Sequence, residues 1–176
     1  RSRPFSSDQY SAWYGYYDFS HGPITNLGAH FIDTVHFITG AKFPESCVCL
    51  GSIFTWKDEH NFTVPDCVQA TWIYPEGFLV SSSNNTANSS GSVRNLYGDK
   101  AMLNISDPRN PVISDRGAPN PDGSIKGEKP VTPVDCPSHH LDWLQCMLNG
   151  RTPNASIEAG YQHSVAGLMA VRSFET

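Results

Sequence analysis

The chain has 176 residues, 39% of them hydrophobic and 16% charged, with a formal net charge of −5. This length suffices for one domain with a real core and is short for two ordinary ones. Lys and Arg are nowhere clustered, which argues against nucleic-acid binding, and no run of 18 apolar residues is present to span a membrane. The low charge, with 14 glycines and 13 prolines, favours sheets and structured loops over a helical bundle.

The opening RSRPF carries neither Met nor the apolar core of a signal peptide, and the closing RSFET lies inside a helical pattern. Both ends therefore read as interior to a longer protein. Residues 1–23 are aromatic and irregular, and Pro23 leads into a helix over 24–39 that Gly40 stops. SCVCLGSIFTW, residues 46–56, alternates as a strand. A second strand covers 66–74, with Val68, Ala70, Trp72 and Tyr74 on one face. Pro75-Glu76-Gly77 then turns the chain tightly into a third strand, FLVSSSNNTAN. Gly98-Asp99-Lys100 joins 92–97 to 101–105 as a hairpin. Residues 106–138 carry seven prolines and form a loop too long to be a mere connector. Ser138 is placed to cap a helix over 139–149, and Ser156 a last helix with Glu158 in its first turn.

One helix followed by hairpin-linked strands and then helices indicates an α+β fold. The expected architecture is an open, predominantly antiparallel β-sheet with helices packed on one face, forming a single domain. No G-x-G-x-x-G and no G-x-x-x-x-G-K-S/T occurs, so the chain holds no nucleotide phosphate cradle of either kind. The five cysteines include no C-x-x-C pair; they suit free thiols better than a zinc site or a disulfide framework. Five N-x-S/T sequons, at Asn61, Asn84, Asn88, Asn104 and Asn154, are read as chance in a chain rich in Asn and Ser.

On the first helix, Asn26, His30, Asp33 and Phe37 fall within about 60° of one another. Leu27, Phe31, Val35 and Ile38 fall on a separate, apolar face. A His with an Asp at i+3 and an Asn at i−4 has the makings of an acid/base group with orienting partners. Periodicity alone favours an ordinary helix-face histidine.

The ordered set YYDFSHGPITNLGAHFIDTVHFITG, FPESCVCLGSIFTWKD, VPDCVQATWIYPEGFLVS and LYGDKAMLNI resembles the C-terminal domain of the glucose-fructose oxidoreductase / inositol dehydrogenase / MocA-type family. The resemblance spans about residues 10 to 173. It implies a parent oxidoreductase dependent on NAD or NADP, whose nucleotide domain lies outside this sequence, acting by hydride transfer on a sugar, polyol or glycoside. It implies catalytic roles for His30, Asn26 and Asp33, with a lysine from the other domain, and a homo-oligomer formed through the open sheet face. Where many members carry an Asp, this chain has Asn26, which can orient a ring or bind a hydroxyl but cannot stabilise an imidazolium by charge.

Other residues are weighed on their own chemistry. Trp13, Tyr14, Tyr16 and Tyr17 can stack on sugar rings and Asp18 can accept hydroxyls, or these aromatics pack the edge of the core. His21 and His36 are read as structural, and Asn84, Asn85, Asn88 and Ser81–Ser83 as a polar ladder on a solvent face, with polyol binding as the alternative. His139 and His140 point about 100° apart on a helix and cannot chelate one ion from one face. Lys129, within Glu-Lys-Pro, copies the family's catalytic tripeptide in the wrong place and is set aside. The isolated chain is expected to be inactive and the parent cytoplasmic, with no metal, nucleic-acid or membrane partner. Two alternatives remain: nicotinamide-dependent, redox-assisted glycoside cleavage, and a non-catalytic oligomerisation or carbohydrate-binding module.

Overall fold

A computed structural model describes residues 4–57, 60–121, 123–132, 134 and 136–176. They divide into two compact units, one comprising the residues up to Ser89 together with Asp142–Thr176, the other Ser90–Leu141. In chain order the elements are α1 (Ser7–Ser11), a 3-10 turn (Trp13–Gly15), α2 (Leu27–Thr39), β1 (Ser46–Ser52), β2 (Cys67–Tyr74), β3 (Phe78–Asn85), β4 (Asn95–Tyr97), β5 (Met102–Asn104), β6 (Val112–Ser114), β7 (Glu128–Pro130), α3 (His139–Asn149) and α4 (Ile157–Glu175). The class is α+β and every strand pairing is antiparallel. The strands form two sheets, ordered β1-β2-β3 and β4-β5-β6-β7, where the sequence reads as a single sheet.

The first unit is built on the β1-β2-β3 sheet. Val68, Ala70, Trp72 and Tyr74 all point to its inner face and are buried there, as the alternation of β2 requires. The β2–β3 hairpin pairs Tyr74 with Phe78, and Gly77 takes the φ of 87° that the turn demands. Helices α2 and α4 cover the inner face. Ile32 and Val35 from α2, and Ala166, Ala170 and Val171 from α4, close the core over Trp72. The small residues of α4 let the helix approach closely enough for Trp72 Nε1 to donate to the Ala166 carbonyl at 2.9 Å. Gly167 of α4 likewise faces Thr25. Full burial of a side chain as large as Trp72 is worth roughly 3 kcal/mol.

Helix α2 ends as expected, with Gly40 left-handed at φ 75° and its N–H bonded to the His36 carbonyl. Its buried face differs from the expected one. Gly28, Ile32, Val35 and His36 face the core, while Leu27 is 55% exposed and Ile38 is also exposed. The core selects the stripe carrying Gly28 over the stripe with the larger side chains at 27 and 38. His36 takes a structural place: its Nε2 shares a 2.8 Å hydrogen bond with the Tyr74 hydroxyl, and Tyr74 stacks on Phe78 at 4.7 Å. Ser156 caps α4 through the Ala159 N–H at 3.2 Å. The body of α3 is tied down by Asp142, whose carboxylate accepts from the Asn154 N–H at 2.8 Å.

The second unit holds the short β4–β7 strands. The expected hairpin closes through the Gly98 N–H and the Ala101 carbonyl. The proline-rich 106–138 segment supplies β6 and β7, two three-residue strands. Pro130 sits on the edge strand, where a missing N–H is tolerated. Lys129 lies in that same strand and donates to the Ser124 carbonyl at 3.2 Å. Ser138 accepts from the Leu141 N–H at the start of α3.

Among the described residues no helix is long and apolar enough to cross a membrane, and no group of three or more His, Cys, Asp or Glu is arranged to hold a metal. All five cysteines are free thiols. Burial, with the neighbouring Cys49, pushes Cys47 up to about 11, so it is inert as a nucleophile near neutral pH.

Candidate functional site

The row Asn26, His30, Asp33 and Phe37 runs along the outer face of α2. Asn26 is half-buried, His30 and Asp33 are exposed, and Phe37 is 86% exposed. Asn26 occupies the N-cap position without using its side chain to cap, so its amide is not spent on the helix end. Among the described residues nothing hydrogen-bonds to the His30 ring; its carbonyl accepts from Thr34 Oγ1 within the helix. The Asp33 carboxylate turns the other way, to His163 of α4, with 3.3 Å between Asp33 Oδ1 and His163 Nδ1. The structure thus brings Asn26 and His30 onto one face one turn apart, and engages Asp33 elsewhere.

Beside that face, at the N-terminal end of α2, lies a cavity of about 360 Å³. Its walls come from three directions. Asn26 and Leu27 contribute from α2, Tyr14 and Gly15 from the 3-10 turn, and Trp56 and Phe62 from the β1–β2 loop. Asn85, Thr86 and Asn88 at the end of β3 form the far rim. His30 itself is not among the lining residues; it lies one helical turn beyond Asn26, and a helical Cβ tilts toward the N-terminus, the end at which the cavity lies.

Phe62 is the centre of the aromatic wall. Its ring lies 5.6 Å from Trp56, 5.4 Å from Tyr16 and 6.4 Å from Tyr14, centroid to centroid. It sits directly on Gly15, where any Cβ would overlap the ring. The Gly15 carbonyl also accepts from the N–H groups of Thr63 and Val64, fixing the loop to the turn. His60 and Asn61, just before Phe62, both hold left-handed φ values, 60° and 50°. The Tyr16 hydroxyl donates to the His60 carbonyl at 2.5 Å, which anchors that bend.

Asp66 secures the other end of the loop. It is 4% exposed, and its carboxylate accepts from the backbone N–H groups of Phe54, Thr55 and Trp56 at 2.8–3.0 Å. Burial opposes its ionisation, but those N–H groups outweigh burial and hold the carboxyl below its usual range. Its own carbonyl accepts from the Thr86 N–H and hydroxyl, so the same residue ties in the end of β3. The Pro-Asp start of β2 owes its place to this role.

The aromatic residues singled out in the sequence separate. Tyr14 lines the cavity, whereas Tyr16 is buried behind it with its hydroxyl occupied. Trp13 is exposed, edge-on to Tyr14 at 6.2 Å. Tyr17 is edge-on to His21 at 6.3 Å, and burial together with the Glu175 carboxylate and Cys49 raises its phenol. Asp18 lies exposed in the turn that follows. Trp56 and Phe62, the larger part of the cavity wall, were missed; their signal was two aromatics in a loop otherwise polar, ahead of a buried Pro-Asp.

A family model described as the GFO/IDH/MocA C-terminal domain matches residues 1–104. No curated protein gives a significant match. Among solved structures, the chain is similar to an oxidoreductase domain protein from Kribbella flavida, with TM-score 0.72 and 17% identity over 92% of this chain and 51% of that one. It is similar to the UDP-N-acetylglucosamine 3-dehydrogenase GnnA from Acidithiobacillus ferrooxidans, with TM-score 0.69 and 14% identity over 98% and 50%. It is also similar to the WlbA dehydrogenase from Bordetella pertussis, solved with NADH and UDP-GlcNAcA, with TM-score 0.67 and 15% identity over 99% and 49%. The chain spans about half the length of these structures.

Proposed function

From the premise that this chain belongs to the GFO/IDH/MocA C-terminal domain family, we propose that it is the substrate half of a nicotinamide-dependent oxidoreductase acting on a sugar, polyol or glycoside. The observation that carries the reading is the exposed His30 on a rigid helix, one turn from the uncommitted Asn26 amide at the mouth of the cavity. A bound nicotinamide supplies the hydride acceptor. His30 takes the proton of the substrate hydroxyl as the adjoining C–H bond gives up its hydride, and returns it in the reverse direction. Asn26 holds a neighbouring hydroxyl and fixes which carbon is presented. With no glycine-rich helix start in this chain, the dinucleotide belongs to the part of the parent outside this sequence, and the isolated chain is inactive.

We further place a contact with a second copy of the protein on the outer face of the β1-β2-β3 sheet. Val48, Leu50, Ile73 and Leu79 stand exposed there on neighbouring strands. Leu50→Lys, at a residue 74% exposed, is expected to lower the mass seen in light scattering, and an unchanged mass would remove this contact.

Calorimetric titration of the full-length protein with NADH and NADPH, followed by nicotinamide absorbance against a sugar panel, tests the enzymatic reading. Binding of either dinucleotide and turnover of a polyhydroxylated substrate are expected. A protein that binds neither is instead a carbohydrate-binding or oligomerisation module.

A further inference from the structure

The chemistry of the cavity wall identifies what part of a substrate belongs in it. We propose that the cavity at the N-terminal end of α2 seats an uncharged apolar ring attached to the reacting sugar, the aglycone of a glycoside, stacked against Trp56. This deepens the proposed function and rests on the reading that His30 faces a sugar hydroxyl.

Charge is the first argument. Among the described lining residues there is no Lys, Arg or His, and the one carboxylate, Asp66, is already saturated by three backbone N–H groups. A phosphate or carboxylate placed there would be desolvated with no counter-charge, which is strongly unfavourable. Among the described lining residues a cation would meet no carboxylate but Asp66, which already holds three N–H groups. A neutral apolar ring carries no charge to desolvate.

Shape and lining are the second. Tyr14, Trp56 and Phe62 present aromatic surface and Leu27 an aliphatic edge. The polar lining residues are Asn26, Asp66, Asn85, Thr86 and Asn88; the Asn85 side-chain oxygen accepts from the Ala87 N–H and leaves its NH2 as a donor. At about 360 Å³ the space lies near the lower end of small-molecule sites, the scale of a ring and not of a nucleotide.

Construction is the third. The wall is held at both ends, by Gly15 and Tyr16 behind Phe62 and by Asp66 behind Trp56. Two consecutive non-glycine residues, His60 and Asn61, hold left-handed backbone to bring Phe62 into place. Such strain persists where surrounding structure enforces it, and functional sites are where it collects. Position completes the case. Asn26 and Leu27 precede His30 by one helical turn, about 6 Å along the axis. A substituent that extends one helical turn toward the N-terminus from a sugar at His30 would therefore meet the opening.

The test is calorimetry on the full-length protein with phenyl glycosides of glucose, galactose, mannose and N-acetylglucosamine, each beside its free sugar and its 6-phosphate. At least one phenyl glycoside is expected to bind about tenfold or more tightly than its free sugar, and no 6-phosphate to gain over its parent. In Trp56→Ala the phenyl advantage is lost, each phenyl glycoside binding within about twofold of its own free sugar in the same variant. Leu27→Trp, at a half-exposed helix position that tolerates bulk, fills the mouth and does the same, so the proposal stays decidable if the first variant does not fold. A panel without any phenyl advantage, an advantage that survives Leu27→Trp, or a 6-phosphate as the tightest ligand overturns it. Dinucleotide titration separates the two readings. A phenyl advantage without dinucleotide binding keeps the subsite and removes the redox chemistry. Dinucleotide binding without the advantage removes the subsite alone.

Discussion

Asp33 and His163, 130 positions apart in the chain, join α2 to α4 through a 3.3 Å contact between carboxylate and imidazole. The pair explains why the polar row on α2 does not act as one cluster: Asp33 belongs to the packing of two helices, and His30 stands apart from it. His163 is three-quarters buried and Asp33 about half, so solvent screens the interaction. A double-mutant cycle with Asp33→Asn and His163→Gln should give a coupling of about 0.5 kcal/mol in urea denaturation. A coupling near 3 kcal/mol would mean that the pair is shielded from water, against the exposure described.

On the proposed reading, His30→Ala in the full-length protein should lower kcat/KM by about 10² to 10⁴ with little change in melting temperature, since the side chain is exposed. Unchanged kcat/KM removes His30 from the chemistry. Asn26→Asp places a carboxylate one turn before His30 and favours an imidazolium there. The acid limb of the pH–rate profile for alcohol oxidation should therefore move to higher pH; an unmoved limb would separate residue 26 from the proton-transfer group.

Asp66 ties stability to acid pH. Its folded carboxyl is held below the unfolded value of about 3.9. The stabilisation is thus complete above that value and drains away as pH falls through the folded one. Asp66→Asn removes the charge and one of the two acceptor oxygens, turning an NH2 toward backbone N–H donors, and should cost about 2 kcal/mol at pH 7. The variant should also lose less stability than the parent between pH 4 and pH 2, as read from denaturant midpoints. Equal losses would place the acid-sensitive group elsewhere.

His36 acts at milder pH. Burial, with His163 nearby, lowers its affinity for a proton; Asp33 and Glu76 oppose this and are outweighed. Among the described residues nothing pairs with its Nδ1. The unfolded chain takes the proton first, near pH 6.5, so stability falls as pH drops below that point, by up to about 1.4 kcal/mol per unit. His36→Gln should be less stable at pH 7.5 and flatter between pH 7 and 5. A parallel slope in parent and variant would assign the effect to another group.

What the sequence makes legible is what local physics decides. The alternation of β2, the glycine at 77, the cap at Ser156 and the stop at Gly40 follow from rules that reach only a few residues, and each stands in the structure. The family resemblance reads from an ordered set of such local signals. The site resists because its parts meet from afar. Trp56 and Phe62 reach the cavity from a loop with no periodicity. Asp33 finds His163 across the helix pair. The buried stripe of α2 is chosen by tertiary packing: Gly28 lies against Pro23 and Ile24, and Ile32 joins the core with Ala166 and Ala170 of α4. Strands of three residues, as in β6 and β7, carry no pattern long enough to see against the prolines around them.

Gly15 sets where this binding wall can change. Because the Phe62 ring rests on its missing side chain, the back of the box has one permitted composition. Leu27 and Trp56, at the mouth and side, carry no such restriction. If the proposed subsite binds as inferred, variants at those two positions would sort by the size and polarity of the group each admits while the frame behind them stays constant.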